Sequence, residues 1–105
     1  MRKGDFVLIP FPFTDLSGSK NRPAIILYSD ELDVVVAFIS TKLHWQTKTD
    51  SIIEPNQKNG LKKTSLIRTS KIMTIDKSLV LGKIGELSID GLYELNDALK
   101  RLLEI

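Results

Sequence analysis

Apolar positions fall in short blocks separated by turn formers over most of the chain, and switch to a helical period at its end. Residues 6–13, Phe-Val-Leu-Ile-Pro-Phe-Pro-Phe, read as a strand, and Pro10 and Pro12 cannot donate to a central ladder, so it is expected to end or fray near Pro10. Residues 14–21, Thr-Asp-Leu-Ser-Gly-Ser-Lys-Asn, are rich in turn formers and read as a loop. Pro23 biases Arg22 toward extended geometry, and Ala-Ile-Ile-Leu-Tyr at 24–28 continues as a second strand. After the polar turn at 29–31, residues 34–39, Val-Val-Val-Ala-Phe-Ile, are continuously apolar. That pattern belongs to a strand buried on both faces or curled inside a small barrel, and this strand is expected to be the most buried.

The polar exit Ser40-Thr41-Lys42 leads into segment 44–50, which holds the only histidine and the only tryptophan, His44 and Trp45. Residues 51–54 form a short strand stopped by Pro55, and Asn59-Gly60 predicts a tight turn with positive φ angles. Residues 64–75 mix β-branched apolar residues with Arg68, Thr69, Ser70 and Lys71, a strand with a polar working face and a bulge where the alternation breaks. The period then changes: Leu92, Leu95, Leu99 and Leu102 share one helical face, with Ala98 and Leu103 beside them. Ser88 is placed to cap this helix and Asp90 to meet its positive dipole end, while Gly91 is expected to weaken the first turn. Short strands followed by one helix predict a mainly β (β-rich α+β) fold, a small, strongly curled antiparallel barrel with a C-terminal helix, as one domain over 1–105.

Composition removes several chemistries. The chain has no cysteine, which excludes disulfides, thiolate metal sites and thiol nucleophiles, and a single histidine leaves no clustered imidazole site. No apolar run reaches the ~20 residues of a membrane helix, and the N-terminal residues lack a signal-peptide core, so the cytoplasm is the expected compartment. The net charge of +2 conceals a pattern. Residues 1–57 carry six bases and seven acids, residues 58–83 seven bases and one acid, and residues 84–105 two bases and five acids. The basic stretch can line a groove that follows a polyanion, or it can simply solubilise exposed strands and protect an edge.

Individual residues sharpen the first reading. Arg22 follows a Gly/Ser loop and is fixed at a strand entrance by Pro23, where a guanidinium can grip a phosphate with two parallel hydrogen bonds. The alternative is a surface ion pair with Asp15, Asp30 or Glu31. Ser40 and Thr41 sit where a buried strand surfaces, as rim hydroxyls for an anion or as ordinary strand-end residues. His44 and Trp45 can stack on bases or pack on a partner peptide, or Trp45 can fold back over the barrel end.

Five collinear blocks carry a resemblance. Gly4-Asp-Phe-Val-Leu-Ile-Pro-Phe-Pro-Phe-Thr-Asp15, Gly18-Ser-Lys-Asn-Arg-Pro-Ala-Ile-Ile26, Phe38-Ile-Ser-Thr-Lys42, Gly60-Leu-Lys-Lys-Thr-Ser-Leu-Ile-Arg68 and Met73-Thr-Ile-Asp76 resemble the successive signatures of the MazF/PemK-like toxins of type II toxin–antitoxin systems. The resemblance implies an SH3-like barrel with a C-terminal helix, a homodimer, and an antitoxin partner with which the family binds DNA. It also implies a metal-independent endoribonuclease, without cofactor, that cuts single-stranded RNA. In that chemistry the ribose 2′-hydroxyl attacks the adjacent phosphorus, leaving 2′,3′-cyclic phosphate and 5′-hydroxyl ends and blocking translation and growth.

By position, the resemblance matches Arg22, the pair Ser40 with Thr41, and Arg68 to family motif residues; catalysis is expected of Arg22, Ser40 and Thr41, and RNA contact of Ser19, Lys20, Lys42, Trp45, Lys62, Lys63, Arg68 and Ser70. It departs from the family pattern in two places: the Gly-Ser loop carries Lys20 and Asn21 where some members have histidine or glutamate, and Ser70 stands where the Kid branch has aspartate. Asp15 and His44 are the nearby titratable candidates for acid–base work. Two other readings accompany the ribonuclease: a family member that binds RNA or antitoxin without cutting, and a CcdB-like gyrase inhibitor on the same barrel.

Overall fold

A computed structural model describes residues 1–11 and 20–105, and the loop expected at 14–21 lies largely outside them. Six strands, β1 (Asp5–Phe11), β2 (Lys20–Ser29), β3 (Asp33–Ser40), β4 (Ser51–Ile53), β5 (Ser65–Asp76) and β6 (Gly82–Glu86), precede one helix, α1 (Ile89–Leu103). They form one curled antiparallel sheet in the order β4-β5-β3-β2-β1-β6. Among the described residues no helix is long and apolar enough to cross a membrane.

The apolar runs are continuous because the middle of the sheet is covered on both faces. Val7, Ile9, Ala24, Ile26, Val34 and Val36 form one core with Phe38, Met73, Ile75 and Val80 packed against it. Phe6, Ile25, Ala37, Ile39, Ile67 and Leu95 form the other, with Leu92 and Leu99 of the helix alongside. Successive strand residues point to opposite faces, so Phe6 and Val7, or Ile25 and Ile26, enter different cores. Each such side chain contributes about 1.5–3 kcal/mol by leaving water. β3 sits between β2 and β5, and buries Val34, Val36, Ala37 and Ile39.

β1 runs through Pro10, which pairs with Asn21, and ends one residue later at Phe11, near the end that the sequence predicts. Its last residues are paired on one side only, because pairing with β6 stops at Leu8 opposite Gly82. Beyond Leu8 the strand is paired on one side, where a residue without an N–H is tolerated. The Asn59-Gly60 turn differs from expectation, because of the two residues only Gly60 has positive φ, +69°. Asn59 is wholly buried for its side chain: Oδ1 accepts from Asn56 N at 3.2 Å and Leu61 N at 3.0 Å, and Nδ2 donates to the Glu54 carbonyl at 2.9 Å.

In α1, Ser88 Oγ accepts from Gly91 N at 3.0 Å and Asp90 lies in the first turn, as the sequence pattern predicts. A Cβ on Gly91 would stand 2.9 Å from Leu87 Cδ2, the movable end of a side chain. Leu95 and Ala98 are buried, but Leu103 is 57% exposed and lies off the core face.

Candidate functional site

The site forms where β3 leaves the core beside the irregular middle of β5. In the β3–β5 register Phe38 faces Arg68 but its neighbour Ala37 faces Ile72, so one step along β3 corresponds to four along β5. Thr69, Ser70 and Lys71 make up the bulge, confirming the break read from the alternation. On the other side of β3, Ala24 faces Phe38, which carries the start of β2 and Arg22 toward the level of Ser40. The result is a groove of about 490 Å³. Its floor is Phe38 and Ile39, its rim the hydroxyl residues Ser40 and Thr41, and its charged lining Arg22, Lys42, Arg68 and Lys71, with Trp45 beside them. Among the described residues that line it there is no carboxylate or imidazole.

Those four cations differ in how they are held. Arg22 is exposed and has no ion pair among the described residues; the Asp30 carboxylate is instead occupied by the Leu32 and Asp33 N–H groups at 2.9 and 2.8 Å and by the Tyr28 hydroxyl at 3.2 Å. Those backbone bonds, the one from Asp33 foremost, hold the Asp30 carboxyl below its ordinary range. Arg68 is two-sided: Nε donates to Asp50 Oδ2 at 3.2 Å, and Cζ lies 5.9 Å from the centre of the Trp45 ring. Lys42 Nζ is 5.4 Å from the same ring. Lys71 reaches the groove from the bulge.

Ser40 serves the turn and keeps a free proton. Its Oγ accepts from Lys42 N at 3.1 Å, and its own hydrogen has no acceptor among the described residues. Thr41 is exposed at the same rim. Trp45 lies in a single 3-10 turn, Leu43–Trp45, and is 47% exposed, so it does not fold away over the barrel end. His44 packs edge-on against it, ring centres 5.8 Å apart, outside the groove lining.

The structure therefore gathers Arg22, Ser40, Thr41, Lys42, Trp45 and Arg68 from the residues singled out in the sequence. Lys62, Lys63 and Ser70 are exposed but do not line the groove, and Lys20 opens β2, also outside its lining. Asp15 and Ser19 lie outside the described residues. The basic stretch 58–83 is not one surface: only Arg68 and Lys71 of it reach the groove. Lys77 Nζ donates to the Asp30 carbonyl at 3.0 Å, and Lys83 pairs with Glu86 at 3.0 Å and Asp5 at 3.4 Å. Groove charge comes equally from Arg22 and Lys42, in the segment whose total is slightly acidic. Sequence reasoning missed Asp50, whose place beside Arg68 follows from the pairing of β4 with β5 and from no local pattern.

Comparison with known proteins agrees with this architecture. The chain aligns with the solved Mycobacterium tuberculosis toxin MazF-mt6 at a TM-score of 0.76 and 21% identity, covering 96% of this chain and 97% of that one. An endoribonuclease in complex with its cognate antitoxin from a mycobacterial species aligns at 0.76 and 19%, covering 100% and 96%. MazF from Deinococcus radiodurans aligns at 0.73 and 17%, covering 100% and 97%. No curated protein sequence matches. Residues 2–103 match the family described as PemK-like, MazF-like toxin of type II toxin–antitoxin system, and the chain belongs to that family of toxins.

Proposed function

We propose that this toxin is an endoribonuclease that cuts single-stranded RNA in the groove between β2, β3 and β5. The observation that carries the reading is the lining itself: among the described residues it holds four cations, two rim hydroxyls and no carboxylate, beside an exposed indole. A polyanion is the ligand such a surface selects, and the flat ring beside it suits unstacked bases. The family and the solved relative described as an endoribonuclease in complex with its cognate antitoxin support the same activity and an antitoxin partner.

The reaction forms a bond between the ribose 2′-oxygen and phosphorus and breaks the bond from phosphorus to the 5′-oxygen. A base takes the 2′-proton, an acid returns one to the leaving oxygen, and cations hold the doubly charged phosphorane. Arg22 and Arg68 supply that positive charge, and Ser40 donates its unassigned proton to a phosphate oxygen. An arginine with a pKa above ~12 is unsuited to act as the base. His44, packed on Trp45, and Asp15 are the candidates for that role. Cleavage at the family's groove also fits a homodimer in the cytoplasm, which light scattering and cell fractionation test.

Incubation of the purified protein with mixed-sequence single-stranded RNA, followed by mapping of the ends, tests the proposal. New 2′,3′-cyclic phosphate and 5′-hydroxyl ends, lost in Arg22→Ala, are expected. Intact RNA, or cleavage unchanged by that substitution, overturns it. That the described lining holds no carboxylate or imidazole favours one second reading, a toxin that binds RNA without cutting. Salt-dependent binding with no products is its signature.

A further inference from the structure

The least expected group near the groove is a carboxylate. The Asp50 side chain is wholly inaccessible to solvent, yet it is one step before β4, whose Ser51 faces Ile67 across the ladder, so it stands level with Arg68. Oδ2 accepts from Arg68 Nε at 3.2 Å and from Thr47 N at 3.0 Å. Oδ1 is buried with no hydrogen-bond partner among the described residues. A buried carboxylate with one oxygen unsatisfied is a poor device for stability, because desolvation offsets much of what its ion pair gains.

What Asp50 does control is the guanidinium. Arg68 is 13% exposed, lines the groove, and is engaged at Nε alone; its two terminal nitrogens have no partner among the described residues. With Nε tied down and the Trp45 ring 5.9 Å from Cζ, the fork is held in one orientation. A fork fixed that way offers a phosphate its paired donors without first losing side-chain freedom.

We infer that Asp50 is a positioning residue, which acts through Arg68 to fix a bidentate phosphate contact in the groove; the inference rests on the reading of the groove as an RNA site. It makes a prediction opposite in sign to plain electrostatics. Removing a negative charge beside a polyanion site strengthens binding if Asp50 acts only by its charge. It weakens binding if Asp50 acts by holding Arg68.

The test uses a single-stranded 2′-O-methyl RNA, which cannot be cut, and measures affinity and its salt dependence for wild type, Asp50→Asn, Arg68→Ala and the double variant. Asp50→Asn is expected to weaken binding roughly tenfold and lower the salt slope by about 0.7, one phosphate contact, with no further loss in the Arg68→Ala background. Tighter binding, unchanged binding, or an equal loss in both backgrounds overturns the inference. Should Asp50→Asn fail to fold, Arg68→Lys, which keeps the charge and lacks the fork, carries the test: a loss of roughly tenfold supports the inference and wild-type affinity overturns it. Wild-type cleavage of unmodified RNA is scored separately. Binding without cleavage removes the ribonuclease reading and leaves the Asp50 comparison intact, whereas a wild type that neither binds nor cuts overturns both.

Discussion

The Thr69 hydroxyl donates to the Thr49 carbonyl at 2.7 Å across the groove wall, tying the bulge of β5 to the segment that carries Trp45. Thr69 is wholly buried, so this bond has no competition from water. It acts beside the Asp50–Arg68 pair, and the two together fix segment 43–50 against β5.

Thr69→Val keeps the shape and removes the donor. The expected loss is about 1–2 kcal/mol, the cost of leaving a buried carbonyl one donor short. For a domain of this size that lowers the melting temperature by about 4–8 °C per kcal/mol. Thermal unfolding followed by circular dichroism measures it, and an unchanged midpoint would show that water or another donor replaces the hydroxyl.

Gly60 has φ +69°, and a Cβ there would overlap the Ile84 carbonyl oxygen. Gly60→Ala combines an unfavourable backbone conformation with a backbone clash that no rotamer relieves. Destabilisation of about 2–5 kcal/mol is expected from the two effects together. Urea titration reads this directly, and a change below about 1 kcal/mol would mean that segment 56–60 moves away from β6 at little cost.

Local rules made part of this molecule legible. The unbroken apolar run at 34–39 announced burial on two faces, and the leucine spacing with Ser88 announced the helix and its cap, because both follow from periods within one segment. Pro10 marked the end of β1 to within one residue, but why a proline is tolerated inside it depends on where β6 stops, which is a fact about a strand more than seventy residues away. Asn59 misled because its carboxamide bonds three backbone groups, while the φ angle that a turn needs is left to Gly60. Arg22, Ser40 and Trp45 could be singled out one by one, but their meeting with Arg68 depends on a bulge whose length only the register shows. Asp50 had no signal at all: an aspartate at the end of a polar segment looks solvated until β4 is laid against β5.

Trp45 is the sole tryptophan, half-exposed between Lys42 and Arg68, so its fluorescence reports on the groove alone. Adding a single-stranded oligonucleotide is expected to quench it, and salt to restore it. Trp45→Ala is expected to weaken binding by about 1–3 kcal/mol, the range for one stacked base, with Trp45→Phe intermediate. Full quenching that persists in Arg22→Ala at unchanged affinity would place the oligonucleotide on the ring but outside the groove.

The turn at Asp30 gives the fold a dependence on acid whose sign can be worked out. Backbone N–H groups of Asp33 and Leu32 hold the Asp30 carboxyl below its ordinary value of 3.8, and Ser78, through its hydroxyl and its N–H, does the same for Asp76. Since the unfolded chain takes up these protons at higher pH than the folded one, stability rises with pH across the acid range. Both contributions are complete above the ordinary aspartate value and disappear as the pH falls through the depressed folded ones. Asp30→Asn keeps an oxygen for the two N–H groups but has nothing to titrate, so its urea midpoint should fall less steeply with acid than that of wild type. The same substitution has a second readout at the alkaline end. The Tyr28 phenol is pushed above its ordinary 10.0, chiefly by its hydrogen bond to Asp30, so in Asp30→Asn one of the two tyrosines should ionise at lower pH in an ultraviolet titration. Identical acid slopes and identical tyrosine titrations in the two proteins would show that this turn does not hold Asp30 in solution.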